Sequence, residues 1–315
     1  MMMMKNDGIS VVVPVFNSAE LLLTFIGRLE PVLRAMTSRF EVILVNDCSR
    51  DRSWDVIVEL TQKHSWIGGI NLLRNYGQHN ALLCGIRSAN HEIIVTMDDD
   101  LQHPPEEIPR LLDKLAEGFV VVYGTPAQEQ HGLWRVIASK VTKLALQTSM
   151  GIDIAQKVSA FRAFRAIVRD AFSKYQGSFV SIDVLLTWGT TRFSAIPVRH
   201  DTRSSGYSNY TFGKLVVHAL NMATGFSTLP LQFASMLGFA FTFLGMIALV
   251  YVVGSYFLKG GSIPGFPFLA SIIVIFSGAQ LFALGIIGEY LARIHFRTMD
   301  RPPYVIRSRS KIVSE

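Results

Sequence analysis

Between Lys214 and Lys259 the chain carries no Asp, Glu, Lys or Arg. A stretch of that length without charge belongs in an apolar medium, and it limits what the rest of the chain can fold into. Within it, Leu229–Leu258 is long enough for a tilted membrane-spanning helix, which takes about 20 apolar residues. A turn rich in Gly and Pro, Gly260–Pro267, leads to a second apolar run, Phe268–Ile287, whose helix should reach about residue 291. Two spans joined by a short loop make a hairpin with both ends on one side. The loop holds one lysine and the flanks hold many, so both ends are expected inside. The apolar stretch before the first span is read as an interfacial amphipathic helix over 213–228. The expected division is therefore 1–212, 213–228 and 229–315. A composition that is 50% hydrophobic and 17% charged agrees with an anchor of this size.

The formal charge is +6, with Arg293, Arg297, Arg301, Arg307, Arg309 and Lys311 gathered after the last apolar run. A basic tail beside a membrane segment points to anionic lipid headgroups and not to nucleic acid. Met1–Asp7 has one lysine and no apolar run suited to a signal peptide, so the first domain and both termini are expected in the cytoplasm, on a multi-pass protein of the inner membrane. Cys48 and Cys84 have no metal-ligand spacing and read as free thiols in a reducing compartment.

Residues 9–124 alternate regularly. Runs rich in Val and Ile at Ile9–Phe16, Glu41–Asp47, Ile67–Leu73, Glu92–Met97 and Phe119–Tyr123 read as strands. Helical patterns start at Ser18 and cover Arg50–His64, Gln78–Ala89 and Pro105–Glu117. This alternation implies a mostly parallel sheet covered on both faces. Beyond it the pattern is mixed: helix at Leu133–Met150, strand at Ser159–Phe164, helix at Ser178–Trp188, strand at Phe193–Val198, then a polar loop Arg199–Tyr210.

In open α/β sheets ligands bind beyond the carboxyl ends of the strands. The fourth strand ends in Asp98-Asp99-Asp100-Leu101-Gln102. Three adjacent carboxylates repel one another unless a cation or solvent offsets them. In extended geometry Asp98 and Asp100 share a face and Asp99 points away. Asp98 and Asp100 thus form a candidate site for Mg²⁺ or Mn²⁺, which bind through one or two carboxylates plus substrate phosphates. The second strand ends in Asp47, which reads equally as an acceptor for a nucleotide base and as a helix cap. No Gly-x-Gly-x-x-Gly follows the first strand and no Walker loop is present, which argues against dinucleotide and P-loop enzymes.

Three segments carry a resemblance: Val12-Val13-Pro14-Val15-Phe16-Asn17, Arg74-Asn75-Tyr76-Gly77-Gln78-His79, and Asp98-Asp99-Asp100-Leu101-Gln102-His103-Pro104-Pro105-Glu106-Glu107. Together with Arg203–Tyr210 and Gly288-Glu289-Tyr290, they make the chain similar over nearly its whole length to the polyprenyl-phosphate glycosyltransferases of glycosyltransferase family 2. The resemblance implies a GT-A fold, inversion at the sugar carbon, a divalent metal, a nucleotide-sugar donor such as UDP-glucose and a lipid acceptor such as undecaprenyl phosphate. It places Pro14, Val15, Asn17 and Asp47 in the nucleotide pocket, with Gln102 facing the donor sugar. Asp98 and Asp100 match metal ligands, Arg203, Ser208 and Asn209 match the acceptor-phosphate loop, and Arg162 matches an arginine near the same phosphate. Charge-assisted arginine contacts suit a phosphate.

The chain departs from the family pattern at three positions. Ser18 stands where the family often has Glu, Asn209 where many members have Lys, and Gln156 where several have an Asp proposed as base. A phosphate monoester with a second pKa of about 6 is largely anionic at neutral pH and can attack without a base. Asp153 lies nearby as a substitute. A processive polysaccharide synthase would carry Gln-x-x-Arg-Trp and more spans, and neither is found in this sequence. A catalytically silent scaffold fits the three departures but not the intact Asp98–Asp100 cluster. The hairpin offers a surface for self-association, though nothing in the sequence counts subunits.

Overall fold

The structure, a computed structural model, describes residues 7–126, 157–177, 180–201, 229–259, 265–299 and 301–310. The chain divides into two units, Met1–Leu215 with Asp300–Glu315, and Val216–Met299.

The first unit is built on an eight-stranded sheet. Its strands are β1 (Ile9–Val15), β2 (Phe40–Asn46), β3 (Ile67–Leu72), β4 (Ile93–Thr96), β5 (Val121–Pro126), β6 (Arg162–Arg165), β7 (Phe193–Val198) and β8 (Ile306–Ser310), in the order β7-β5-β6-β4-β1-β2-β3-β8. Strands β1 to β4 pair in parallel, and β7 runs parallel to β5. Strand β6 is antiparallel to β4 and β5, and β8 is antiparallel to β3. Every residue of β1 and β2 is buried, as continuous Val/Ile runs require when helices cover both faces.

The covering helices are α1 (Ala19–Met36), α2 (Ser53–Lys63), α3 (Gln78–Ser88), α4 (Ile108–Ala116) and α5 (Ile182–Gly189). Helix α1 buries Leu22, Phe25, Ile26, Leu29 and Leu33, a stripe with helical spacing. Helix α3 lies so close to the sheet that a Cβ on Gly85 would sit 2.3 Å from Val12 Cγ1, so only glycine fits there.

Two sequence-based boundaries move. The expected helix over Pro105–Glu117 opens with a 3-10 turn at Pro105–Glu107 before α4, and the strand expected at Ser159–Phe164 is β6, followed by a 3-10 segment, Ala166–Phe172. The larger correction is at the end of the chain. Residues counted as a basic tail of the third division contain β8, which adds to the free edge of β3. Thr61 and Ser310 bring their hydroxyls to 2.5 Å, and Leu73 N–H donates to the Val305 carbonyl at 2.9 Å. Edge pairing uses backbone groups, so Ile306-Arg307-Ser308-Arg309-Ser310 needs no apolar pattern to join the sheet, and its arginines protect the new edge.

The second unit holds α6 (Leu229–Lys259) and α7 (Phe266–Thr298). They pack through Phe241 and Phe276, whose ring centroids are 5.6 Å apart, with Gly245 leaving room for Phe276. Among the described residues, Ile275–Ala292 is long and apolar enough to cross a membrane, and Leu231–Ile247 is a shorter apolar stretch. The expected helices at Leu133–Met150 and 213–228 lie outside the described residues.

Candidate active site

Strand β1 has β2 and β3 to one side and β4 to the other, so the sheet reverses its winding between β1 and β4. A crevice opens at such a point beyond the carboxyl ends of the strands. The backbone there bends sharply. Asn17 (φ 55°) follows β1, Cys48 (φ 56°) follows β2, and Leu101 (φ 60°) follows the acidic triplet. These are the non-glycine residues with positive φ among the described residues. Such conformations are disfavoured and concentrate where a site demands them.

The extended run of β4 ends at Thr96, so the triplet lies in a turn and not on the pleat. The alternate-face rule therefore does not govern it, and each carboxylate is set by its own partner. Asp98 Oδ1 accepts a 2.6 Å hydrogen bond from Gln78 Nε2 on α3. Asp100 Oδ1 accepts from the Gln102 backbone N–H at 3.1 Å. Asp99 Oδ2 is shielded from solvent and makes no hydrogen bond among the described residues, and the neighbouring Ser18 hydroxyl donates to the Phe16 carbonyl at 3.3 Å. Burial pushes the Asp99 carboxyl up to about 7, the charges of Asp98 and Asp100 add to that, and the Ser18 hydroxyl opposes it.

Gln102 is half-buried, and its carbonyl accepts from the Asp201 N–H at 2.9 Å, tying the loop after the triplet to the residues after β7. His103 lies in the same junction, stacked on Phe161 at 5.4 Å and edge-on to His200 at 5.1 Å. Burial, then His200, depresses its imidazole to about 4, so it is neutral at physiological pH.

Asp47 is almost fully buried at 3% exposure, and burial raises its carboxyl. Its Oδ1 accepts from the Tyr76 N–H at 2.7 Å and Oδ2 from the Gly77 N–H at 2.8 Å. It is not a helix cap: α2 starts at Ser53, whose N–H donates to Asp51 Oδ1 at 3.0 Å. Asp47 instead fastens the segment Arg74–His79. Gly77, at φ 92°, turns that segment into α3, and His79 Nδ1 accepts from the Ile182 N–H at 3.3 Å.

The side chains of Pro14 and Val15 are buried in the sheet, so β1 meets the crevice through its backbone and through Asn17. Asn17 joins two turns, its N–H donating to Ser49 Oγ at 3.0 Å and its Oδ1 accepting from the Arg50 N–H at 2.8 Å.

Arg162 is 1% exposed and ion-paired with Asp183. Its Nε donates to Thr96 Oγ1 at 3.1 Å, and the guanidinium sits 5.8 Å over the Tyr123 ring, whose hydroxyl donates to Asp183 at 3.2 Å. The guanidinium is thus committed inside the protein, beneath the end of β4. Asp153, Arg203, Ser208 and Asn209 lie outside the described residues.

The sequence profile described as "Glycosyl transferase family 2" matches residues 10–175. This chain belongs to glycosyl transferase family 2. The undecaprenyl-phosphate 4-deoxy-4-formamido-L-arabinose transferase of Pseudomonas savastanoi pv. phaseolicola is 32% identical over 98% of this chain and 93% of that protein. The enzyme of the same name from Pectobacterium carotovorum subsp. carotovorum is 33% identical over 95% of this chain and 93% of its own length. Among solved structures, glucosyl-3-phosphoglycerate synthase from Mycobacterium tuberculosis, in complex with Mn²⁺, UDP-glucose and phosphoglyceric acid, superposes with a TM-score of 0.53. At 16% identity, over 70% of this chain and 78% of that one, the likeness shows the GT-A α/β fold.

The sequence-based candidates for a cation are Asp98 and Asp100, which the structure places in the same turn beyond β4. No cluster of three or more His, Cys, Asp or Glu side chains capable of holding a metal occurs among the described residues. Mg²⁺ and Mn²⁺ sites that borrow ligands from substrate phosphates do not need one. Sequence reasoning missed Gln78 and Asp183 as partners. Gln78 sat in a quoted motif without a role, and Asp183 was the lone charge opening an apolar helix.

Proposed function

We propose that the protein transfers a sugar from a nucleoside-diphosphate sugar, with UDP as the nucleotide, to undecaprenyl phosphate at the cytoplasmic face of the membrane. The observation that carries this reading is the extent of the likeness: relatives named undecaprenyl-phosphate transferases align over 98% of the chain, helical pair included. An oxygen of the lipid phosphate attacks the anomeric carbon, and the bond from that carbon to the diphosphate breaks with its electron pair leaving on the diphosphate. Asp98 and Asp100 would hold a divalent cation, which would supply charge compensation for that leaving group. Asn17, the backbone of β1 and Asp47 shape the nucleotide side. Arg203, Ser208 and Asn209 hold the acceptor phosphate, and Asp153 stands by as a base that an anionic phosphate scarcely needs.

Two features support a two-span hairpin. Large apolar side chains stand open on both helices, including Phe239 at 77% and Leu281 at 69% exposure, a surface suited to lipid. Residues on both sides of the helical pair belong to the same sheet unit, since β8 returns to β3. A segment that leaves and re-enters one folded body crosses a membrane an even number of times. With basic residues after Glu289, the positive-inside rule puts that body in the cytoplasm.

The test uses purified protein in detergent with undecaprenyl phosphate, Mn²⁺ or Mg²⁺, and radiolabelled UDP-sugars. Label is expected in the organic phase from one donor and lost on chelation. Folded protein that labels no lipid from any UDP- or GDP-sugar overturns the reading.

A further inference from the structure

Helix α7 carries a single side-chain amide, Gln280, inside Ile275–Ala292, the stretch long and apolar enough to cross a membrane. Glu289, the first charge after that apolar run, lies nine residues further on. At 1.5 Å per residue the amide is roughly 13 Å deeper than that charge, close to the middle of a hydrocarbon core of about 30 Å. Its side chain is exposed and makes no hydrogen bond among the described residues. In water an exposed glutamine is ordinary. In hydrocarbon the same amide loses the hydrogen bonds that water gave it, and polar side chains at that depth turn toward a helical partner.

Helix α6 is not that partner. The partly covered residues of α7, Phe276, Ala279, Ala283 and Ile286, recur every three or four positions. They mark the face turned to α6, where Phe276 meets Phe241. One residue further along, the helix has turned by about 100°. Ser277, Gln280, Leu284, Ile287 and Leu291 repeat the same spacing there, and every one of them is exposed. Three-four spacing is that of a seam between two helices.

The chemistry of an amide selects the occupant. A polyprenyl tail at that depth offers neither donor nor acceptor. A carboxamide carries both, so it is complementary to a copy of itself. Two copies inserted with one topology run their α7 helices parallel and hold both Gln280 side chains at equal depth. Identical faces can then meet about a two-fold axis along the membrane normal.

We propose that α7 pairs with α7 of a second copy of this chain along Ser277, Gln280, Leu284 and Leu291, with the two Gln280 amides hydrogen-bonded to each other. A single polar side chain in an apolar seam fixes register and partner number, which is the role assigned to Gln280. The inference rests on the reading of α6 and α7 as a membrane hairpin.

Disulfide trapping in native membranes tests it on the full-length chain. Cys48→Ser removes the more accessible native thiol, and Cys84 is buried. In that background Ser277→Cys and Leu284→Cys, with Gln280 kept, are expected to give a covalent dimer on oxidation with copper phenanthroline. Leu281→Cys and Phe282→Cys, exposed on other sides of α7, are expected to give little. Gln280→Leu should raise the dissociation constant of the dimer roughly threefold to twentyfold, the worth of an interhelical hydrogen bond in a membrane. Energy transfer between labelled copies across a range of detergent-to-protein ratios reads that constant. No dimer from positions 277 and 284, equal yields from all four positions, or parent-like association of Gln280→Leu overturns the inference alone. Protein released from broken cells without detergent overturns it together with the membrane reading.

Discussion

Gln78 Nε2 lies 2.6 Å from Asp98 Oδ1, so the first residue of α3 holds the first carboxylate of the acidic triplet. The contact joins the loop after β3 to the end of β4, across the crevice where the sheet changes direction. A carboxylate fixed in this way presents its other oxygen in one orientation, and loss of such a partner from a metal-binding carboxylate typically costs about tenfold to a hundredfold in metal affinity.

Gln78→Ala should therefore raise the Mn²⁺ concentration that gives half-maximal sugar transfer by roughly tenfold to a hundredfold. Gln78→Glu should do worse, by adding like charge. A metal titration of the lipid-labelling assay, with Mn²⁺ binding followed separately by the free-ion electron paramagnetic resonance signal, checks both.

Asp99 makes stability depend on pH. Its carboxyl is held at about 7 in the folded protein against 3.8 when unfolded. The folded state thus binds the proton more tightly, and the penalty is absent below the unfolded value, grows as pH rises and is complete above about 7. Asp99→Asn removes the ionisation and should stabilise metal-free protein by about 2 kcal/mol at pH 8.5, a full shift being discounted for partial solvent access. At pH 4 the gain should vanish. Melting temperatures at the two values in EDTA are the measurement.

Arg162 and Asp183 form a buried pair, and removing one member strands the other. Arg162→Met is expected to destabilise the sheet unit by about 3 to 5 kcal/mol. Arg162→Met with Asp183→Leu should recover much of that loss. Denaturation midpoints of the three proteins give the comparison. Recovered stability with sugar transfer still abolished would show that the guanidinium also serves the acceptor.

The C-terminal strand guards a cysteine. Burial pushes the Cys84 thiol up to about 12, opposed by the charge of Arg309 and a hydrogen bond from Tyr304, both in the C-terminal segment. In intact protein Cys84 should resist iodoacetamide at pH 8, while half-buried Cys48 is modified. Deleting residues 301–315 should expose Cys84 to alkylation and cost several backbone hydrogen bonds of roughly 1 kcal/mol each. Peptide mass spectrometry after timed alkylation reads the first effect and thermal melting the second.

The strand–helix alternation over residues 9–124 was legible in the sequence because its signals are local. Val/Ile runs buried on both faces look the same in the sequence as in the sheet, and the stripe Leu22, Phe25, Ile26, Leu29, Leu33 carries its own period. Which residues close the strands was legible for the same reason, since Asn17, Asp47 and Asp98 all follow recognisable strands. The uncharged stretch after Lys214 and the second apolar run from Phe268 likewise announced helices, and α6 and α7 fall on them.

Tertiary structure alone decided which side chain answers which. Asp47 holds the backbone of Tyr76 and Gly77, Asp98 meets Gln78, and Arg162 turns inward to Asp183. Each pair is brought together by the winding of the sheet, which no local pattern encodes. Strand β8 was hidden for a related reason. A strand added at an edge is held by backbone hydrogen bonds that any residues can make, so a sequence read for charge saw only arginines where the fold needed a partner for β3.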